Sequence, residues 1–254
     1  TYMPYRRLPK TDQARLKSLQ KAIELENLEL DKMPISLKLL SQAKAYYNAF
    51  SMLVGEYNQT FGSQVEWNKK YQSAAKNVKM YISHFIQVLN FAVIRGDLKK
   101  NVKEYYKLNT EDNTVPDLTS DTALIEWGRN IIDGEQERVS HGGVPLSFPS
   151  AAKLKVFYDI FYDLNVSQKI RQKSTSRNQQ KVAEMRDQVD ELILQIWDSI
   201  EAYYENLLPY ERYITCQKCG VIYYYRNKEE HLTPEIDKEI LEKKAAQPKI
   251  IFED

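Results

Sequence analysis

The chain has 254 residues, of which 43% are hydrophobic and 28% are charged, and its formal net charge at pH 7 is +1. So small a net charge gives no overall field that would draw the protein to nucleic acid or a membrane, and such binding would need a local patch. The 8 glycines and 9 prolines are few for a loop-rich or all-β fold. Two cysteines cannot form a disulfide framework. Composition therefore favours a helical protein.

Neither a signal peptide nor a membrane span is evident in the sequence. The opening residues contain no apolar segment of the kind that signal peptides carry. The longest uncharged stretch lies between Lys79 and Arg95 and includes serine, histidine, glutamine and asparagine, so it is too short and too polar to cross a bilayer. We therefore expect a cytoplasmic protein.

Apolar residues at steps of three and four predict helices from the start of the chain. Thr11 or Asp12 begins the first one. Two apolar stripes follow, over residues 39–61 and 71–92, and each predicts a helix that packs along a neighbour. Because a Gly-Ser pair at 62–63 separates the stripes, we expect the chain to turn or kink there and to form a helical hairpin.

The second half of the chain shows a similar order. Residues 97–120 combine a short charged helix with a polar surface loop. Ser120 is predicted to cap a helix that ends at Gly142. Further helices are expected from Ser150 to about Val166 and from about Asn178 to Asn206, with a turn between them, so that a second hairpin forms.

The two predicted hairpins align without a gap when residue i is placed against residue i+111. The alignment begins with residues 34–53 against 145–164 and includes six identical pairs: Pro34/Pro145, Ser36/Ser147, Lys44/Lys155, Tyr47/Tyr158, Phe50/Phe161 and Leu53/Leu164. With a two-residue shift, the first helix also lies over the helix that Ser120 caps. This match predicts an internal duplication.

The predicted fold is therefore all-α, a single helical domain over residues 1–254 that forms an elongated bundle. Its two related units, about 11–96 and 121–206, each contain a capping helix and a long helical hairpin. A lone hairpin cannot bury its apolar stripe, so the units are expected to form a four-helix core with pseudo-two-fold symmetry. A short strand-like arm is predicted near 214–226, and the charged tail 227–254 is expected to pack weakly.

Three segments also resemble an uncharacterised family of bacterial all-helical proteins. They are "MPYRRLPKTDQARLKSLQKA", "YISHFIQVLNFAVIRG" and "VPDLTSDTALIEWGRNIIDGEQERVSHGG". The resemblance extends over most of residues 3–226. It implies a helical bundle of bacterial origin, but neither an activity nor catalytic residues come with it.

The stretch "ITCQKCGVIYYYR" has the spacing of half a zinc site. A structural zinc ion needs four ligands, and this chain supplies Cys216, Cys219 and, 12 residues later, His231. A second copy of the chain could complete the set as a dimer. The alternatives are a reduced pair with no metal, which we favour, and a redox motif, for which the βαβ context is missing. We therefore predict no cofactor, with zinc as the alternative.

Other catalytic signatures are missing from the sequence. It contains no Glu-x-x-His pair, phosphate-binding glycine loop, Gly-x-Ser-x-Gly or His-Glu-x-x-His motif. His84 is interpreted as a histidine at the edge of an apolar stripe, and His141 as one that suits the C-terminal dipole of a helix. The prediction is that the protein is not an enzyme.

One local basic patch lies in residues 167–181, at the predicted tip of the second hairpin. It contains five cations and no acid: Lys169, Arg171, Lys173, Arg177 and Lys181. Such a patch can bind phosphates, solubilise the surface or meet the acidic helix of a second copy. It lacks the interleaved aromatic residues of a single-strand reader.

These observations favour a non-catalytic interaction or scaffold protein whose long helices bind an unidentified protein partner. The first alternative is a nucleic-acid or polyanion binder that uses the basic patch. The second is a metal protein that uses the CxxC pair, or an enzyme whose site the sequence does not reveal. No membrane partner is expected.

Overall fold

The computed structural model describes residues 3–246 of the chain and confirms the all-α class. The described α-helices are α1 (Asp12–Glu24), α2 (Leu37–Ile94), α3 (Asp121–Ser140), α4 (Ala151–Tyr203), α5 (Pro209–Lys218) and α6 (Pro234–Ala246). Two short strands, β1 (Tyr5–Arg6) and β2 (Tyr223–Tyr224), pair antiparallel with Tyr5 opposite Tyr224. A 3₁₀ helix at Lys100–Tyr106 precedes the loop that leads to α3.

The predicted helix starts are confirmed where a hydroxyl side chain caps them. The Thr11 hydroxyl accepts a hydrogen bond from the Ala14 amide at 3.2 Å, and the Ser120 hydroxyl accepts one from Ala123 at 3.1 Å. Capping is a local interaction between a side chain and the backbone three residues ahead, so a short stretch of sequence is enough to predict it.

The two predicted hairpins, by contrast, are wrong. Helix α2 continues through Gly62 and Ser63, and α4 continues through residues 167–181. A glycine inside a helix costs only about 1 kcal/mol relative to alanine, which the packing of a 58-residue helix easily outweighs. Two long helices therefore replace the four shorter ones that the sequence predicted, and the basic patch is no hairpin tip.

The chain divides into two compact units, and this division crosses the predicted repeats. Unit 1 comprises Thr1–Asn58 and Asn178–Asp254, and unit 2 comprises Gln59–Arg177. Each unit thus takes one half of α2 and one half of α4, together with one of the short helices α1 and α3.

Unit 1 has its own hydrophobic core. Its buried residues come from α1, the first half of α2, the second half of α4 and the region of α5; examples are Leu19, Phe50, Ile193, Trp197 and Cys216. Paired charges border this core, because Arg186 donates to both carboxylate oxygens of Asp12 at 2.7 Å.

Unit 2 has a separate core, in which the halves of α2 and α4 run antiparallel. Tyr71 stacks on Phe161 with ring centroids 5.5 Å apart, and its hydroxyl accepts a hydrogen bond from Asn165 at 2.8 Å. Further along, Tyr81 stacks on Phe157 with centroids 4.5 Å apart. Phe161 and its proposed counterpart Phe50 are both fully buried, one in each core.

A buried polar network anchors α3 within unit 2. Glu135 accepts hydrogen bonds from the Tyr106 hydroxyl and, at 3.0 Å, from the Arg138 guanidinium. Arg138 also donates to the carbonyl of Val144 at 2.7 Å, and Glu135 accepts from the Leu146 amide at 2.8 Å. Each buried charge therefore has partners, so the network positions the loop after α3 without leaving an orphaned ion.

The C-terminal tail packs more closely than the sequence predicts. Leu232 is buried, and the carboxylate of Asp237 accepts hydrogen bonds at 3.0 Å from the amides of Tyr210 and Glu211 at the start of α5. The predicted tail extends to residue 254, and residues 247–254 lie outside the described part. Across residues 3–246, no helix is both long enough and apolar enough to cross a membrane.

Candidate functional site

The strand-like arm predicted near 214–226 is a strand at Tyr223–Tyr224, whereas the CxxC pair in its first part lies at the end of a helix in unit 1. Cys216 belongs to α5, and Cys219 is its C-terminal cap. Gly220 then takes a left-handed conformation with φ of 103°. The Gly220 amide donates to the carbonyl of Gln217 at 3.0 Å, and the Val221 amide donates to the carbonyl of Cys216 at 3.1 Å. This pair of bonds is the Schellman motif, so the glycine after the second cysteine ends a helix.

The two thiols are free and buried. Burial raises the pKa of Cys216 to about 11, and it also raises the pKa of Cys219. The Tyr204 hydroxyl lies 4.0 Å from the Cys219 sulfur, and burial raises the pKa of this tyrosine to about 12. Because thiolates are the nucleophiles and metal ligands, protonated thiols at neutral pH disfavour both a redox and a nucleophilic role.

The third predicted metal ligand has a different environment. The His231 ring is exposed and stacks on Tyr225, with ring centroids 3.9 Å apart and planes 9° apart. Within residues 3–246, no three side chains of histidine, cysteine, aspartate or glutamate are grouped so that they could hold a metal ion. A zinc site completed by a second copy stays the alternative to a pair without metal.

The structure distributes the five basic residues along α4. Lys169, Lys173, Arg177 and Lys181 are exposed at steps of four residues; the first three belong to unit 2 and Lys181 to unit 1. Arg171 differs, because its side chain is held by residues of α2.

Arg171 is bound to the facing half of α2 in unit 2. Its guanidinium lies 4.2 Å from the centroid of the Trp67 ring, and its Nη1 donates to the Ser63 hydroxyl at 2.7 Å. Lys70 approaches the same ring at 5.8 Å. A cation held over an aromatic face is attracted to the ring's quadrupole, so Arg171 stabilises the helix pair and is less available to an external anion.

Unit 2 also contains a feature that the sequence did not reveal, a groove between α2 and α4. We call it the unit 2 groove; it encloses about 740 Å³. Apolar side chains form its floor: Ala74, Phe157, Ile160 and Leu164. Ile160 is 48% exposed there.

Charged residues line the edges of the unit 2 groove. Lys69 and Lys70 lie on the α2 side, and Asp163 is the one acidic residue among the described residues of the lining. A second concavity in unit 2, of about 570 Å³, has Tyr81, Phe148 and Lys153 in its lining, and its Tyr81 stacks on Phe157 of the groove. Phe148 is 88% exposed, so apolar surface extends along this face of unit 2.

Sequence reasoning missed this groove because it assigned the two halves of its wall to different hairpins. The sequence offered no separate signal for it, because Phe157 aligns at the i+111 spacing with Tyr46, which lies within the first predicted stripe over residues 39–61. Comparison of the chain with protein-family models, with curated proteins and with solved structures finds no match. The resemblance noted above therefore stays a prediction, and function has to be inferred from these residues.

Proposed function

We propose that the protein is a non-catalytic interaction protein whose unit 2 groove binds an amphipathic helix of a partner protein. The observation that carries this proposal is the exposed apolar floor at Ile160, between two antiparallel helix halves. A groove between helices accepts a third helix through apolar side chains at positions i, i+3, i+4 and i+7. A contiguous exposed apolar surface can mark a protein interaction site.

Charge indicates which kind of helix would fit. Lys69 and Lys70 border the groove and Lys153 borders the second concavity, whereas Asp163 is the one carboxylate among the described residues of the two linings. A partner helix with acidic residues on its flanks would complement these lysines, which favours correct partners and faster association. The proposed partner segment is thus amphipathic and acidic.

The test places a photo-crosslinking amino acid at position 160 and, as a matched control, at position 170, in the source cell. Ile170 lies on the same helix in the same unit and is 67% exposed, but it does not line the groove. We expect crosslinks at position 160 to an amphipathic acidic segment of another protein, and few at position 170. Crosslinks only to a second copy of this chain would contradict the proposal and indicate a homodimer.

A substitution then tests the energetic role of the floor. With the identified segment as a peptide, Ile160→Glu should weaken binding by at least about tenfold, because docking would remove the new carboxylate from water and bring it against an acidic partner. Ile170→Glu should change the affinity by less than about twofold. Equal effects of the two substitutions would show that the groove is not the binding surface.

The alternative is a nucleic-acid or polyanion binder through residues 167–181. Its support is the exposed series Lys169, Lys173 and Arg177 in unit 2, in a stretch that contains no acid. A steep fall of affinity for DNA or RNA with salt, reduced by Lys173→Gln, would favour this alternative over the groove.

We also infer an internal duplication, now with long helices in place of hairpins. The support is that residues 111 positions apart are buried together. Both members of each of the following pairs are at most 2% exposed: Ala43/Leu154, Phe50/Phe161, Val78/Val189, Ile82/Ile193, Phe85/Ile196 and Leu89/Ile200. Phe50→Ala and Phe161→Ala should then cost similar free energies of unfolding, about 3–5 kcal/mol each. A cost below about 1 kcal/mol for one of them would contradict equivalent positions.

A further inference from the structure

We propose that a basic cavity in unit 1 binds a small ligand that carries a phosphate group. The cavity encloses about 650 Å³, and its lining includes Arg6, Arg7, Lys10, Arg15 and Tyr224. No acidic residue is part of the lining in the described chain. The volume is within the usual range of small-molecule sites. This site is separate from the groove of unit 2 and does not depend on the function proposed for it.

The backbone around the cavity is held in place by the two-stranded sheet. Arg6 pairs with Tyr223 in the β1–β2 ladder, and the Arg7 amide donates to the carbonyl of Ile222 at 2.8 Å. After buried Pro9, the Thr11 hydroxyl caps α1. Arg6 and Arg7 therefore lie on or directly after a paired strand, and Lys10 and Arg15 lie on either side of the capped start of α1.

Two of the cations are already neutralised from outside the cavity. Arg15 donates to both carboxylate oxygens of Asp190, at 2.8 and 2.9 Å. Arg6 donates through Nη1 to Asp198 at 2.5 Å, and the same atom lies 3.6 Å from Glu201. These carboxylates fix the two guanidinium groups and are not part of the cavity lining.

The other two cations, Arg7 and Lys10, are exposed and have no carboxylate partner among residues 3–246. The cavity therefore keeps an excess of about two positive charges, which matches the charge of a phosphate monoester. A guanidinium offers paired donors to two phosphate oxygens, and an ammonium adds a point charge. A carboxylate ligand would neutralise only half of this excess.

A neighbouring concavity indicates the rest of the ligand. It shares Arg7 and Lys10 with the basic cavity, and apolar residues complete its wall, among them Leu8, Ala14 and Ile222. A phosphate bound between Arg7 and Lys10 would place the adjoining part of the ligand against this wall. The ligand class is therefore a phosphate ester with an apolar or aromatic group.

The test titrates the full chain with inorganic pyrophosphate and follows binding by calorimetry and by amide shifts in NMR spectra. The test variant is Arg7→Gln with Lys10→Gln. The control is Lys76→Gln with Lys79→Gln, which removes the same charge from exposed positions on α2 in the other unit. Because Arg7 and Lys10 have no carboxylate partner in the described residues, the melting temperature of the test variant should stay unchanged.

We expect saturable binding of one pyrophosphate, with amide shifts centred on residues 6–11 and 222–224. The test variant should lose at least about tenfold in affinity, since hydrogen bonds to charged groups are the stronger ones, and the control less than about twofold. Equal weakening in both variants would show nonspecific attraction and overturn the proposal. So would the lack of saturable binding below about 10 mM pyrophosphate, which is weaker than small-molecule sites usually show.

Discussion

The uninterrupted course of α2 predicts that Gly62→Ala stabilises the protein. Gly62 lies inside the helix and is exposed, and an added Cβ would meet no atom within 4 Å. Alanine is preferred over glycine in a helix interior by about 1 kcal/mol, and no steric cost offsets this gain. We therefore expect the free energy of unfolding to rise by about 0.5–1 kcal/mol. Urea denaturation followed by circular dichroism at 222 nm measures it.

The matched substitution Gly134→Ala should do the opposite. Gly134 lies in the same unit as Gly62 and is also inside a helix, α3. A Cβ added at Gly134, however, would come within 2.3 Å of the Tyr105 carbonyl oxygen. The backbone of the neighbouring 3₁₀ helix would have to move, at a cost of about 1–3 kcal/mol that exceeds the gain in helix propensity. If Gly62→Ala instead destabilises by about 1 kcal/mol or more, the chain turns at this position and the continuous helix is refuted. A gain in stability for Gly134→Ala would refute the close packing of α3.

Two further changes test the ends of α5. Replacing Cys216 and Cys219 together by serine should cost roughly 1–2 kcal/mol at pH 7, and stoichiometric zinc in the purified wild type would contradict this mild loss. Because the Cys216 pKa is raised from 9.0 to about 11, its stabilising effect is complete below pH 9 and is lost as the pH rises towards 11. The difference in free energy of unfolding between the wild type and the serine variant, measured by urea denaturation, should therefore shrink from pH 9 to pH 11. A difference that stays constant would exclude a buried, protonated thiol. Asp237→Ala leaves the amides of Tyr210 and Glu211 without their acceptor and should cost about 1–2 kcal/mol by thermal denaturation. An unchanged melting temperature would show that α6 does not cap α5.

Substitutions in the unit 2 groove and in the basic cavity test the two proposed binding sites separately. Ile160 belongs to unit 2, and Arg7 and Lys10 belong to unit 1. If the protein does not bind a partner helix but does bind pyrophosphate, the cavity proposal stands and the groove proposal fails. If it binds the helix but not pyrophosphate, the groove proposal stands and the cavity proposal fails. The two proposals can therefore fail independently.

Local features could be predicted from the sequence because neighbours in the chain produce them. The Thr11 and Ser120 caps depend on a side chain and an amide three residues away. The apolar stripes likewise indicated much of the burial: Phe50, Ile82 and Phe161 lie in a core, whereas Phe61 at the end of the first stripe is 51% exposed. The helical period that produces these stripes is a property of the backbone, so it does not depend on the partner helix.

The sites could not be predicted in the same way. The CxxC spacing suggested a metal, but the Schellman bonds around Gly220 show that the motif coincides with a helix end. The basic cavity unites residues near position 7 with Tyr224, which are more than 200 positions apart. A cavity formed by such distant segments has no local pattern, because nothing in either segment specifies the other.

The sequence by itself determined the all-α class, the caps and the residues that face the cores, since these follow from composition, local hydrogen bonding and the helical period. Only the tertiary structure decided that Gly62 stays helical, because burial along both neighbouring stripes outweighs the small local cost of one glycine. It also decided that each core combines half of α2 with half of α4. Those pairings depend on which apolar surfaces meet, and apolar burial is nondirectional, so the sequence pattern alone does not choose among the possible partners.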